Sequence, residues 1–175
     1  MPDSTYKLGV LLNCRQKQRM NNNDILRRIR YAFNIADTKM IETFALGEVK
    51  TNRAQVSSWL KKDIDPDYIA LPDFQLAAFL NGLITDKRGS REGPKPIPEN
   101  ILNNNIILRK LRIALNLNDT DVLQILDLAG LKISKHELSA FFRKPGQSQY
   151  RECKDQVLRN YLKGLQMKYR ENKMK

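Results

Sequence analysis

Two basic triplets are the residues best equipped for chemistry: Arg27, Arg28 and Arg30 in "RRIR", and Arg109, Lys110 and Arg112 in "RKLR". If each run is helical, Arg27 and Arg30 share a face, as do Arg109 and Arg112, because residues three apart are neighbours on a helix. Planar guanidinium groups so placed grip the paired oxygens of a phosphate. The same residues have an internal use. Arg30 and Arg112 can pair with Asp73 and Asp155, and such an ion pair is costly to break from one side. Internal pairing is the preferred expectation, since these residues recur at matching places in two copies of one unit.

A second concentration of charge lies towards the end of the chain. Arg143 and Lys144 precede Arg151, Lys154, Arg159, Lys163, Lys168, Arg170, Lys173 and Lys175. Net charge is +12, and it is unevenly spread: residues 101–175 carry fifteen bases against seven acids, residues 20–100 twelve against eleven. RNA or DNA is the natural partner of such a flank, with affinity that falls steeply as salt rises. A solvated basic terminus is the plainer alternative.

Conventional catalysis has few candidate parts. His136, the one histidine, matches Ala54 in the other copy, and Cys153 matches Leu71. Cys153 therefore reads as a small buried apolar residue rather than a nucleophile. Cys14 and Cys153 are the only cysteines, so no disulfide framework is implied. Neither zinc-ligand spacing nor a phosphate-cradling glycine loop occurs. The expectation is a non-enzymatic protein with no catalytic residues, metal or cofactor.

The elements that must hold these residues come in duplicate. A shift of 82 positions lays residues 21–88 on 103–170 without a gap, and "NNNDILRRIRYAFNIADT" becomes "NNNIILRKLRIALNLNDT". Self-similarity at a fixed period marks a repeated structural unit. Each unit reads as four helices. The first, over about 23–33, sets Ile25, Ile29, Ala32 and Phe33 at helical spacing. Asn23 is its expected N-cap, and Asn34 closes it in the left-handed conformation. Asp37 and Thr38 are expected to cap a second helix that stops near Gly47. A third, over about 52–62, presents Val56, Trp59 and Leu60, and a fourth begins after Pro72. Strand patterns are absent, so the expected fold is all-α: two tandem four-helix repeats, packed together or joined through a linker.

One asparagine of each "NNN" is accounted for by capping; the others are expected to bond between repeats, or else to line a polar cleft. Residues 38–62 and 120–144 resemble a helix-turn-helix, which would offer Asn52, Arg53 and Gln55, or Ser134, Lys135 and Glu137, to a groove. Nine positions separate Gly47 from Val56, a long turn for such a reader, so an ordinary helical hairpin is preferred.

The expected organisation is a disordered tail over 1–19, a first repeat over 20–88, a linker over 89–100 and a second repeat over 101–175. Prolines at 94, 96 and 98 make that linker an extended spacer. No apolar run approaches the roughly 18 residues of a membrane helix. "LGVLLNC" is too short, and Asn13 is too bulky for a lipoprotein cleavage site. No membrane association is expected, and the expected compartment is cytoplasmic.

The runs "NNNDILRRIRYAFN", "VSSWLKK" and "FLNGLI", with "NNNIILRKLRIALN" and "RECKDQVLRNYLKGL", resemble the bacterial YehS-like family, a tandem-repeat group of unknown function. The resemblance covers residues 20–170. It implies a small cytoplasmic bacterial protein and supplies no activity. Two functional expectations stand: association with RNA or DNA through the basic second repeat, and a helical scaffold that binds another protein in an apolar groove.

Overall fold

The computed structural model describes residues 20–170; the expectations placed on residues 1–19, Cys14 included, and on Lys173 and Lys175 lie outside that range. The described residues form eight helices and contain no strand. The first repeat holds α1 (Asn22–Phe33), α2 (Asp37–Leu46), α3 (Arg53–Leu60) and α4 (Asp73–Arg88). The second holds α5 (Asn104–Ala114), α6 (Asp119–Leu128), α7 (Lys135–Phe141) and α8 (Asp155–Tyr169).

Local chemistry explains most boundaries, with two corrections. Asn21, not Asn23, caps α1, its side chain accepting from the Asp24 N–H at 2.8 Å; Asn103 does the same for α5. Asn34 and Asn116 end these helices at φ 52° and 54°, the left-handed turn that asparagine tolerates. Asp37 and Thr38 do not cap α2. Ala36 occupies the cap position without a side-chain bond, and Asp37 opens the helix. Helices α3, α6 and α7 begin with reciprocal capping boxes, Asn52/Gln55, Asn118/Asp121 and Ser134/Glu137, an arrangement that satisfies two otherwise free backbone donors.

Within a repeat, the second helix crosses the fourth at very close range. A Cβ on Gly82 would lie 1.7 Å from the Thr43 carbonyl oxygen, and one on Gly164 would lie 1.9 Å from that of Ile125. Only glycine permits that approach. Phe44 then meets Trp59 and Phe79, with ring centroids 5.2 and 5.0 Å apart.

Between repeats the packing is reciprocal: α1 lies against α8, and α4 against α5. Two of the bonds that cross are reciprocal too. The Met20 N–H donates to Asp155 at 3.2 Å, and the Leu102 N–H to Asp73 at 2.8 Å, each pair being the other shifted by 82. Exchange of that kind is the signature of a two-fold relation rather than a translation along a solenoid. The N-terminal ends of α1, α4, α5 and α8 line one shared cleft and their C-terminal ends another, so the four run parallel. One buried core runs through both repeats. The connection after α4 does not hold the units apart; it folds back along them, its Pro96 carbonyl accepting from Asn81.

Candidate anion-binding groove

The basic triplets do not use the carboxylates expected of them. Arg30 pairs with Asp37 at 2.5 Å and Arg112 with Asp119 at 2.8 Å. Both arginines also donate through Nε to the carbonyl just beyond their own helix, Ile35 at 3.2 Å and Leu117 at 3.1 Å. They staple the turn from the first helix to the second. Asp37 lies seven residues from Arg30, whereas Asp73 is taken by other donors: Asn22 Nδ2 at 2.6 Å and the Leu102 N–H. Asp155 likewise accepts from Asn104 at 2.7 Å and from Met20. Arg27 pairs with Asp24 and donates to the Lys61 carbonyl, and Arg109 donates to that of Phe142 at 3.1 Å. Each of these two ties its first helix to the end of its third.

The asparagines bond inside their own repeats, not between them. Asn23 is buried and makes four bonds: donations to Trp59 and Ile69 carbonyls, acceptance from the Leu71 N–H and the Tyr68 hydroxyl. Asn105 repeats the pattern with Phe141, Arg151 and Cys153. These are clamps on the third-to-fourth connection, saturated as a buried amide requires. Of the other two, Asn21, Asn22, Asn103 and Asn104 line the cleft of about 890 Å³ between the repeats, the alternative that the sequence left open.

In the hairpins, four of the six side chains expected at a groove are turned to capping. Asn52 and Gln55, and Ser134 and Glu137, are committed to capping boxes. The Ser134 backbone N–H and hydroxyl, both donating to Glu137, hold its carboxyl below the usual carboxylate range. A side chain so engaged is poorly placed to read a base edge.

The eight cations expected to form one surface are dispersed. Arg143 donates to the Ser148 carbonyl at 2.8 Å, Lys154 pairs with Glu152 at 2.7 Å, and Arg151 lies 3.9 Å from Glu137. Lys144 and Lys163 are exposed, Arg159 is half-buried, and the Lys168 ammonium lies over Tyr169. Lys154 lines the cleft between the repeats, and Arg170 alone of the eight lines the basic groove beside α1. Its guanidinium stacks on the Tyr31 ring at 3.7 Å and donates to the Tyr31 carbonyl at 2.8 Å.

That contact closes one end of a groove of about 810 Å³ between α1, the end of α3 and α8. Five basic side chains line it, Arg27, Arg28, Arg30, Lys62 and Arg170, against the carboxylates of Asp24 and Asp63. Arg28, Lys62 and Arg170 have no carboxylate within 4 Å among the described residues. The groove unites the first basic triplet and Arg170 with one basic residue that the sequence reading missed. Arg28 lay within the triplet; Lys62 carried a signal only as the counterpart of Lys144.

Catalytic parts are not assembled here. Cys153 is buried and free, and burial pushes its thiol up to about 12. His136 is exposed on α7. No group of three His, Cys, Asp or Glu residues placed to hold a metal ion occurs among the described residues, and none of their helices is long and apolar enough to cross a membrane.

A family model described as "Protein of unknown function (DUF1456)" matches residues 22–89 and again 104–171. The chain is 42% identical over 147 residues to "Uncharacterized protein YehS" of Escherichia coli (strain K12), a match covering 83% of this chain and 94% of that protein. No solved structure matches at a significant level.

Proposed function

We propose, for a chain that belongs to the DUF1456 family of proteins of unknown function, a non-enzymatic cytoplasmic role in which the groove between α1, α3 and α8 holds the phosphates of RNA or DNA. The observation that carries the reading is the convergence of five cations from both repeats on one concave surface with two carboxylates. Arg27 and Arg30 are fixed by structural bonds and act as a rigid cationic wall. Arg28, Lys62 and Arg170 supply the charge that a phosphate answers. Tyr31, 48% exposed, sets an aromatic ring beside them, the pairing of stacking face and cationic track that nucleic-acid grooves use.

The scaffold alternative calls for a continuous apolar groove. The exposed large apolar side chains instead fall in separate segments, such as Ile64, Ile97 and Leu128. Scattered single residues of that kind are ordinary on a surface.

Fluorescence anisotropy with mixed-sequence oligonucleotides across a salt series tests the reading. Binding weakens with a log–log slope of about −0.7 to −0.9 per phosphate neutralised. Arg28→Ser combined with Lys62→Ser lowers affinity about tenfold, from about 1.4 kcal/mol of lost contact. Binding that is absent at low salt, or indifferent to salt, refutes it.

A further inference from the structure

The two-fold relation makes one half of the molecule a template for the other, and the two helix pairs that join the repeats differ in what covers them. On the α4/α5 side, the connection over residues 89–103 runs back along the helix pair. Lys110, buried on α5, donates to Asn81 of α4, and its ammonium lies 2.9 Å from a Glu99 carboxylate oxygen, close in distance but without an aligned hydrogen bond. Asn81 in turn donates to the Pro96 carbonyl at 3.2 Å, and Lys95 pairs with Glu48 at the end of α2. This segment is an internal strap: extended, seated lengthwise on two parallel helices, and bearing the anion that answers a buried cation.

The equivalent helix pair is α8/α1. Shifted by 82, Lys110 becomes Arg28 and Asn81 becomes Lys163. A cation facing a neutral amide is thus replaced by two cations on facing helices. Among the described residues, neither Arg28 nor Lys163 has a carboxylate within 4 Å, and no strap lies over them. Two cations brought to facing positions in this way call for an anion between them.

We infer that the α8/α1 groove takes a single-stranded nucleic acid, laid lengthwise in the path that the strap follows on the opposite side, with a phosphate seated between Arg28 and Lys163. The inference rests on the proposed nucleic-acid function and narrows it. A strap-like path suits one extended strand rather than a duplex, whose width two adjacent helices cannot enclose. Arg28, Lys62 and Arg170 line the groove and Lys163 takes the place of Asn81 on α8; none of the four has a carboxylate partner among the described residues. A phosphodiester, with a charge at every residue, matches such a row. Of the strap's two glutamates, Glu92 and Glu99, it is Glu99 that meets Lys110.

The test compares three anisotropy titrations at two salt concentrations: a 12-nucleotide single strand of mixed sequence, its duplex, and a glutamate-rich peptide of equal charge. Two double variants follow, Arg28→Gln with Lys163→Asn, and Lys132→Ser with Lys135→Ser as a control of equal charge change, circular dichroism confirming that each is folded. The expected result is single-strand affinity about tenfold above that of the duplex and the peptide. The groove variant loses about tenfold and flattens the salt slope by about 1 to 2, while the control changes less than twofold. Equal affinity for single strand and duplex, or equal losses in both variants, overturns the inference and leaves the broader function standing. Tighter binding of the peptide overturns the inference in favour of an acidic protein partner. Failure to bind any nucleic acid sinks both.

Discussion

Tyr161 shows how much of this protein is inherited architecture rather than function. It is fully buried, its hydroxyl has no hydrogen-bond partner among the described residues, and burial pushes its ionisation far above the ordinary tyrosine range. Its counterpart in the first repeat is Phe79, which does the same packing without the hydroxyl. An unsatisfied buried hydroxyl costs about 1–3 kcal/mol. Tyr161→Phe is therefore expected to raise stability by about 1 kcal/mol, seen as a higher urea midpoint at unchanged m; a loss of that size would reveal a missed partner. The same burial gives a pH signature. Cys153, raised from 9.0 to about 12, and Tyr161 keep their protons in the folded state after the unfolded chain has released them. Their contribution is whole below about pH 9 and is lost as pH climbs towards 12, so stability falls over that window. Tyr161→Phe makes the fall shallower above pH 10, and urea midpoints at pH 8, 9.5 and 10.5 read the difference.

Among the elements, α2/α4 and α6/α8 are held closest, and the glycines at those crossings were visible in the sequence only as identical residues in both repeats. Gly→Ala inside a helix ordinarily gains up to about 1 kcal/mol. At Gly82 the sign reverses, because the new methyl would press on the Thr43 carbonyl of a neighbouring backbone. Gly82→Ala is expected to cost about 3 kcal/mol or more, a thermal midpoint drop of several degrees by calorimetry; unchanged stability would mean that the helices part freely. Element type and order were legible throughout, since the apolar spacing of Ile25, Ile29 and Ala32 needs no tertiary information. The caps were less legible: Asn21, not Asn23, caps α1, because three asparagines in a row offer the same chemistry at neighbouring positions, and Ala36 stands where Asp37 and Thr38 were expected. The role of Asn23 was not legible, because its partners at Trp59, Ile69 and Leu71 are distant in the chain. Arg30 was assigned to Asp73 for a related reason: Asp73 recurs in the second repeat, and only the fold shows that it is already bonded by Asn22 and Leu102 while Asp37 is the partner.

For the molecule as a whole, duplication was plain in the sequence, but the relation between the copies was not, because residues alone do not say whether repeats stack or exchange faces. They exchange them. Helix α1 packs on α8 and α4 on α5, so each repeat completes the other's core. Residues 20–88 expressed alone are accordingly expected to dimerise through the vacated faces or to lose cooperative unfolding, as read by light scattering and thermal melting; a cooperatively folded monomer would contradict the shared core. The groove arises from the same exchange, which brings Arg170 from the far end of the chain onto Tyr31. The basic second repeat read from composition gives way to a site shared by both. Photo-crosslinking of a thiouridine-substituted single strand, followed by peptide mapping, tests that site most directly. Crosslinks are expected at Tyr31 and along the last turns of α8. Crosslinks confined to the 143–154 segment, or none above background at low salt, would contradict it.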